Sequence, residues 1–333
     1  MNRICVFAHY DRDNMVDQYV LRYLEGLRKV TQHIIFVSTS RLGAHDIKVL
    51  ERVCGLVITR ENIGYDFMSW QVGLESVTDI ASYDELILCN DSVYGPLYPL
   101  DKIFDKMAKR ACDFWGITAD ADIAFHLQSY FLVFRKNLMA TDAFKSFWRS
   151  IIPEQSKKEI IEKYEIGLTD TLVKQGFKPA VLISYTPSFP RHLWSMRKPW
   201  SFKKCLWLFI VAPLSGIIPR WKNMAPPSRK FVNTTYVYWS KLVIHRKMPF
   251  LKIDLLRTNP TGTRIDHYAR VLGRYSDYEV SHIVNHLKRM NEEAKGVSSA
   301  GPQADASAGL RQDTTVSSRV NYSQSEVRRR PAG

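Results

Sequence analysis

Nowhere in its 333 residues does the chain hold the ~20 consecutive apolar residues of an ordinary membrane-spanning helix. Zinc-ligand spacings are missing too, as are an RNA-binding signature and a basic region joined to heptads. The excess of Lys+Arg over Asp+Glu, 47 to 33, is therefore not a nucleic-acid signal, and no nucleic-acid partner is expected. Cysteine is sparse: Cys5, Cys54, Cys89, Cys112 and Cys205 are odd in number, widely spread and in several cases set in apolar runs. That argues against a disulfide scaffold and for buried, reduced thiols in a cytosolic protein. The opening MNRICVFAHY turns polar after a short apolar run with no small-residue cleavage site, so a first strand is expected there rather than a signal peptide.

What is present is a chain long enough, at 45% apolar residues, to bury a substantial core. The formal charge of +14 points to an anionic membrane surface or an anionic substrate, and 12% aromatic residues suit sugar or membrane-interface contacts. Strand-like runs at 4–8, 34–38, 56–59, 86–89 and 114–118 alternate with helical patterns at 14–30, 46–53, 67–77 and 100–110. Such alternation predicts an open, mainly parallel α/β sheet with helices on both faces, and ligands beyond the C-terminal ends of the strands. HLQSYFLVFRK (126–136) reads as a further strand, followed by helix over 142–148 and, after Pro153, from 156 to about 176, then a returning strand over 177–183.

The composition then shifts. Residues 205–219 form an apolar run containing Pro213, bracketed by Lys203, Lys204, Arg220 and Lys222 and punctuated by Trp200, Trp207 and Trp221. It is too short for a comfortable crossing, and its basic, Trp-rich flanks suit a segment lying in an anionic membrane surface. A core helix is the plainer alternative. The expected organisation is a domain over 1–195, a C-terminal helical, membrane-associating extension over 196–295 and a disordered tail over 296–333, which is Ser-, Ala-, Gly- and Gln-rich.

Three polar clusters fall where strands should end: His9 after the first, Asn62, Gly64 and Asp66 after the third, Asn90 and Asp91 after the fourth. Each alone could be a turn or a structural histidine. On one sheet edge they converge on a ligand. A carboxylate such as Asp91 can hold a hard divalent cation (Mg²⁺ or Mn²⁺), offsetting the charge that builds on a nucleotide diphosphate as its bond to a sugar breaks. His126, Gln128, Ser129 and Tyr130 crowd four hydrogen-bonding groups into five residues, a face for a sugar or acceptor. If 126–136 is one strand, His126, Gln128 and Tyr130 share a side and Ser129 lies opposite. Glu165, near the start of a helix, is a candidate general base for an acceptor hydroxyl.

Six stretches carry a resemblance: RENIGYDFMSW, LILCNDSVYGPLYPL, DFWGIT, HLQSYFLVF, YEIGLTDTLVKQGF and MPFLKIDLLRTNP. Together, in this order over about residues 3–262, they resemble the rhamnan synthesis protein F family of bacterial polysaccharide-assembly proteins, with a glycosyltransferase domain of GT-A type. The resemblance implies transfer of a sugar, such as rhamnose or another deoxysugar, from a nucleotide-sugar donor to a lipid-linked oligosaccharide in rhamnan or O-antigen synthesis. It maps nucleotide binding to Asn62 and Gly64, metal binding to Asp91 and the base to Glu165. His9, Asp66 and Asn90 join the nucleotide-sugar set. The usual metal motif has two aspartates, whereas here Asn90 stands beside Asp91. The expectation is an inverting transferase, peripheral at the cytoplasmic face of the inner membrane. The other reading is a non-catalytic glycan- or membrane-binding component of an assembly complex.

Overall fold

The computed structural model describes residues 1–120, 123–154, 156–184, 234–299 and 327–329. Strands β1 (Arg3–His9), β2 (His33–Ser38), β3 (Leu56–Thr59) and β4 (Glu85–Asn90) form on the apolar runs that mark them in the sequence, within one residue at each end. Helices α1 (Gln18–Arg28), α2 (Ala44–Glu51) and α3 (Tyr65–Glu75) alternate with them. β2 and β4 flank β1 in parallel, so that Ile4 lies level with His33 and Leu86, and β3 adds parallel to β2. Nearly all of these strand residues are buried, which is why the strands read as continuous apolar runs rather than alternating ones.

Beyond β4 come β5 (Val93–Tyr94), α4 (Leu100–Ala108) and β6 (Phe114–Gly116). The stretch 126–136 departs from the single strand expected of it. It is β8 (His126–Leu127), a turn, and β9 (Phe131–Arg135), with β8 paired to β7 (Ala119–Asp120) in a small hairpin. β9 inserts antiparallel between β4 and β6. With only a short hairpin and no crossover helix between β6 and β9, the chain must return antiparallel. The sheet is therefore mixed, parallel through β3-β2-β1-β4 and reversed at β9.

The next segments are α5 (Lys136–Met139), α6 (Asp142–Arg149), α7 (Lys157–Ile160), a π-helical stretch Ile161–Ile166, α8 (Gly167–Lys174) and β10 (Pro179–Val181), which pairs parallel to β6. The C-terminal part holds α9 (Thr234–Val237), α10 (Trp239–Arg246), β11 (Leu251–Lys252), α11 (Ile253–Arg257), α12 (Tyr268–Tyr275) and α13 (Val280–Ser299). A final strand, β12 (Val327–Arg329), pairs antiparallel with the otherwise open edge of β3, giving the order β10-β6-β9-β4-β1-β2-β3-β12. Four residues of α13 and all of β12 thus fall in the tail expected to be disordered.

Two cores sandwich the sheet. Cys5, Phe7, Phe36, Ile87 and Cys89 point to α1, α2 and α4, and the same core takes in Trp239, Leu242, Phe250, Leu272 and Ile283. Val6, Ala8, Val37 and Leu88 point the other way, to Phe67 and Trp70 of α3, Trp148 of α6 and Leu172 of α8. Residues 234–291, which fall within the expected C-terminal extension, complete one face of the sheet. The apolar run 205–219 and the boundary at 195 lie outside the described residues. Among the described residues no helix is long and apolar enough to cross a membrane.

One contact locks the C-terminal part to the strand-four motif. Gly95 has φ +156°, and a Cβ there would stand 2.5 Å from Phe250 Cδ1 and 2.6 Å from the Pro249 carbonyl oxygen. Gly95→Ala is expected to cost about 3 kcal/mol of stability through overpacking and backbone strain, measured by urea unfolding.

Candidate functional site

The ends of β1, β2, β3 and β4, the start of β9 and the end of β6 share one sheet edge, because β9 runs opposite to the others. His9 closes β1 there, buried, with Nδ1 2.9 Å from Ser38 Oγ. Burial lowers its pKa to about 4 despite the nearby Asp11 carboxylate, so the imidazole is neutral at pH 7. Its Nε2 stands 4.0 Å from Asp91 Oδ2.

Asp91 follows β4. Its Oδ2 accepts the Tyr10 backbone N–H at 2.8 Å, and its carbonyl accepts the Tyr19 hydroxyl at 3.2 Å. Burial first, then repulsion from Asp66, pushes its pKa well above the carboxylate range, with the Tyr10 N–H opposing and Asp11 adding. The buried Asn90 donates from Nδ2 to Asp66 Oδ2 at 2.7 Å and accepts Ser92 N–H and O–H at 3.2 and 2.6 Å. Asp66, in the first turn of α3, is thus a second carboxylate close enough to Asp91 to act on it. Asn90 is the bracket that holds it.

The loop into α3 is shaped by Arg60. Its guanidinium donates to the carbonyls of Glu61, Ile63 and Tyr65 at 2.9, 2.7 and 2.9 Å and to Ser69 Oγ at 3.0 Å. Burial lowers its pKa to about 10, partly restored by Asp66, so it stays charged at neutral pH. Gly64 (φ +73°) has no room for a Cβ against Met68. Tyr65 also has positive φ, and Asn62, Ile63 and Tyr65 are left exposed at the rim.

Across the sheet, Glu165 lies half-buried in the π-helical stretch, where Oε1 accepts the Ser129 backbone N–H at 2.8 Å. Thr169, one turn on, accepts Leu127 N–H at 3.1 Å, so this helix is stitched to the turn before β9. Gln128 Oε1 accepts Thr118 Oγ1–H at 2.6 Å, and the Tyr130 hydroxyl lies 2.7 Å from Thr118 Oγ1. Gln128 and Tyr130 lie in the turn rather than on one strand face, and both are buried against Thr118. His126 bonds to the Ala124 carbonyl at 2.8 Å within its own hairpin.

His9, Asp66, Asn90 and Asp91 are thus brought together, with Asn62 and Gly64 on the adjoining loop, and Ser129 is joined to Glu165. Sequence reasoning missed Arg60, although it heads RENIGYD, and Arg289. Arg289, on α13, donates to Asp11, Asp13 and Asp17 of the β1–α1 loop, whose next residue back, Tyr10, holds Asp91. Arg289→Met is expected to leave three facing carboxylates and to destabilise the fold by about 2 kcal/mol in urea unfolding.

The metal question turns on the donor set. Among the described residues no three His, Cys, Asp or Glu side chains are grouped to hold an ion. Asp91 and Asp66 fit the narrower case, in which one or two carboxylates hold Mg²⁺ together with a substrate's phosphates.

Comparison with known proteins gives the chain a family. The family model described as rhamnan synthesis protein F matches residues 34–193. The virulence protein VirA of Vibrio anguillarum is 31% identical over 266 residues, covering 78% of this chain and 81% of VirA. The chain belongs to the rhamnan synthesis protein F family. The uncharacterised protein y4gN of Sinorhizobium fredii is 30% identical over 159 residues, 46% of this chain and 42% of that one. Among solved structures, the glycosyltransferase GlyE of Streptococcus pneumoniae overlaps 87% of this chain and 64% of its own at TM-score 0.39 and 10% identity. Staphylococcus aureus TarS 1–349 overlaps 89% and 92% at TM-score 0.37 and 12% identity. Overlaps this loose carry no inference about chemistry. The region matched by the rhamnan synthesis family model contains Arg60, Asn62, Gly64, Asp66, Asn90, Asp91, the 126–130 segment and Glu165, whereas His9 and Arg289 fall outside it.

Proposed function

We propose that the protein transfers a sugar from a nucleotide-sugar donor to a glycan acceptor in polysaccharide assembly. The observation that carries this is the Asp66–Asn90–Asp91 arrangement on the same sheet edge as Glu165, at the strand ends where an open α/β sheet binds its ligands. Family membership supports it.

In this reading the exposed loop at Asn62 and Gly64 receives the nucleotide and the diphosphate lies at Asp91 and Asp66. A divalent cation, Mg²⁺ or Mn²⁺, held by those carboxylates would offset the charge of the leaving diphosphate. Glu165, oriented by Ser129 N–H, takes the proton of the acceptor hydroxyl. The acceptor oxygen forms its bond to the anomeric carbon as the bond from that carbon to the diphosphate oxygen breaks. One displacement inverts the anomeric centre. A deoxysugar such as rhamnose is the donor sugar this reading favours.

The acceptor in this reading is a lipid-linked oligosaccharide at an anionic membrane surface. Tyr10, Met15, Ile63, Ile123 and Phe125 in loops, and Tyr65 at the start of α3, are all exposed, and an amphiphilic acceptor at this edge would cover them. The place of action would be the cytoplasmic face of the inner membrane. The test is release of nucleoside diphosphate from dTDP-rhamnose, UDP-sugars and GDP-sugars by the purified chain with lipid-linked acceptor, with and without Mg²⁺ or Mn²⁺. Acceptor-dependent release from one donor is expected. No release from any donor, with glycan or vesicle binding intact, would favour a non-catalytic component instead.

A further inference from the structure

The positive charge of the chain is concentrated in one part of its sequence. Residues 171–253 hold 15 of the 47 Lys and Arg and none of the 33 Asp and Glu, so the whole excess of +14 resides there. Within the described part of that stretch, α10 and its C-cap carry Lys241, His245, Arg246 and Lys247, all exposed. α10 packs on α12, which has no acidic residue either.

The two helices repeat one pattern. Leu242 and Val243 of α10, and Val271 and Leu272 of α12, are buried in the same core on one face of the sheet. Lys241 and His245 in α10, and Arg270 and Arg274 in α12, are exposed and four residues apart, on the side turned from that core. Both basic stripes therefore face outward from the same side of the sheet. Lys241 Nζ lies 5.6 Å from the ring centroid of Tyr238, Lys247 Nζ 5.0 Å from that of Tyr98 and Arg274 Cζ 5.8 Å from that of Tyr275. Among the described residues Lys241, Arg246, Lys247, Arg270 and Arg274 form no ion pair, whereas Arg257 and Arg264 nearby pair with Asp254 and Asp266.

We infer that the face formed by α10 and α12 docks on an anionic phospholipid surface, with Lys241, Lys247, Arg270 and Arg274 meeting the lipid phosphates. The assignment rests on the reading above only in taking a membrane as the place of action. Lys and Arg are drawn to such a surface within about a Debye length, and tyrosine rings suit its headgroup layer. The position of the face fits. Arg246 donates from Nη2 to the Ser184 carbonyl at 2.9 Å, and the Ile183 N–H bonds to the Ile117 carbonyl just past the end of β6, at the ligand edge. The described chain stops at Ser184 and resumes at Thr234 in α9, directly before α10. Both attachments of the stretch 185–233 are thus beside α10, and in sequence that stretch carries the apolar run 205–219 with its basic and Trp flanks. A nucleic-acid backbone would match the charge but gives that apolar run no role.

The experiment measures co-flotation of the full chain with vesicles of phosphatidylcholine, alone or mixed with phosphatidylglycerol, at low and high salt. The unaltered chain should bind only the anionic vesicles, and less at high salt. Lys241→Gln, Lys247→Gln, Arg270→Gln and Arg274→Gln combined should weaken that binding at least tenfold. Exchanging Lys for Arg and Arg for Lys at the same four positions should keep it within twofold. So should neutralising Lys136, Lys145, Arg149 and Lys158 on α5, α6 and α7, which pack on the opposite face of the sheet. Melting temperatures close to that of the unaltered chain show that the variants are folded. Anionic-vesicle binding as tight in the Gln variant as in the unaltered chain would overturn the assignment, as would no binding by the unaltered chain. Tighter binding to duplex DNA than to anionic vesicles would overturn it as well. Nucleotide-sugar binding, measured on the same variants without vesicles, should not change. Its absence in a chain that floats would strike the transferase reading and leave the membrane face standing.

Discussion

Asp91→Asn is expected to make the protein more stable at neutral pH and at the same time nearly inactive. The folded carboxyl has a raised pKa because it is buried beside Asp66 and Asp11. Between the ordinary carboxylate pKa and that raised value, the folded state binds more protons than the unfolded state. Stability therefore falls as pH rises through this window. Asparagine keeps an oxygen for the Tyr10 N–H but carries no charge, so it escapes that loss. The gain in melting temperature of the variant over the unaltered chain should be close to nil below the ordinary carboxylate range and should grow as pH rises through the Asp91 pKa. Sugar transfer should drop by about 100-fold in kcat/KM, a loss of about 2.7 kcal/mol in transition-state stabilisation. A variant less stable than the parent across the whole pH range would show instead that the carboxylate is a structural cap.

Glu165→Gln tests the other half of the site. Glutamine keeps the size of the side chain and an oxygen for the Ser129 N–H, and removes the capacity to take a proton. Turnover should fall by roughly 10²–10⁴, the usual contribution of a positioned general base, while donor affinity stays within about twofold. The two variants should therefore separate cleanly in kinetics. In the proposed reaction Asp91→Asn acts where the donor would bind, and Glu165→Gln acts on kcat with the donor still bound. Near-normal turnover by a folded Glu165→Gln chain would remove Glu165 as the base.

Much of this was readable along the chain because it is local. β1 to β4 are buried on both faces, so their apolar runs stand out, and where each run turns polar the chain reaches the C-terminal edge of the parallel strands. His9, Asn62, Gly64, Asn90 and Asp91 were legible for that reason. The reversal at β9 was not, since HLQSYFLVFRK has the composition of one strand and only pairing with β4 and β6 shows where it breaks. Nor was the partner of Asp91. Asn90 stands where the usual motif has a carboxylate, and only the fold shows its amide reaching 24 residues back to Asp66. Arg289 acts on residues more than 270 positions away, and Lys252 meets Val93 through a two-residue strand. Local periodicity carries no signal for contacts of that range.

The central claim, that this sheet edge binds a nucleotide sugar, is tested most directly by thermal shift of the unaltered chain across dTDP-, UDP- and GDP-sugars, with the free sugars and nucleosides as controls. A ligand that binds only the native state at 100 times its Kd stabilises by about 2.7 kcal/mol. The account predicts a clear rise in melting temperature with at least one nucleotide sugar, absent with its free sugar and reduced in Asp91→Asn. A flat response to every nucleotide sugar, in Mg²⁺ and in Mn²⁺, would contradict it.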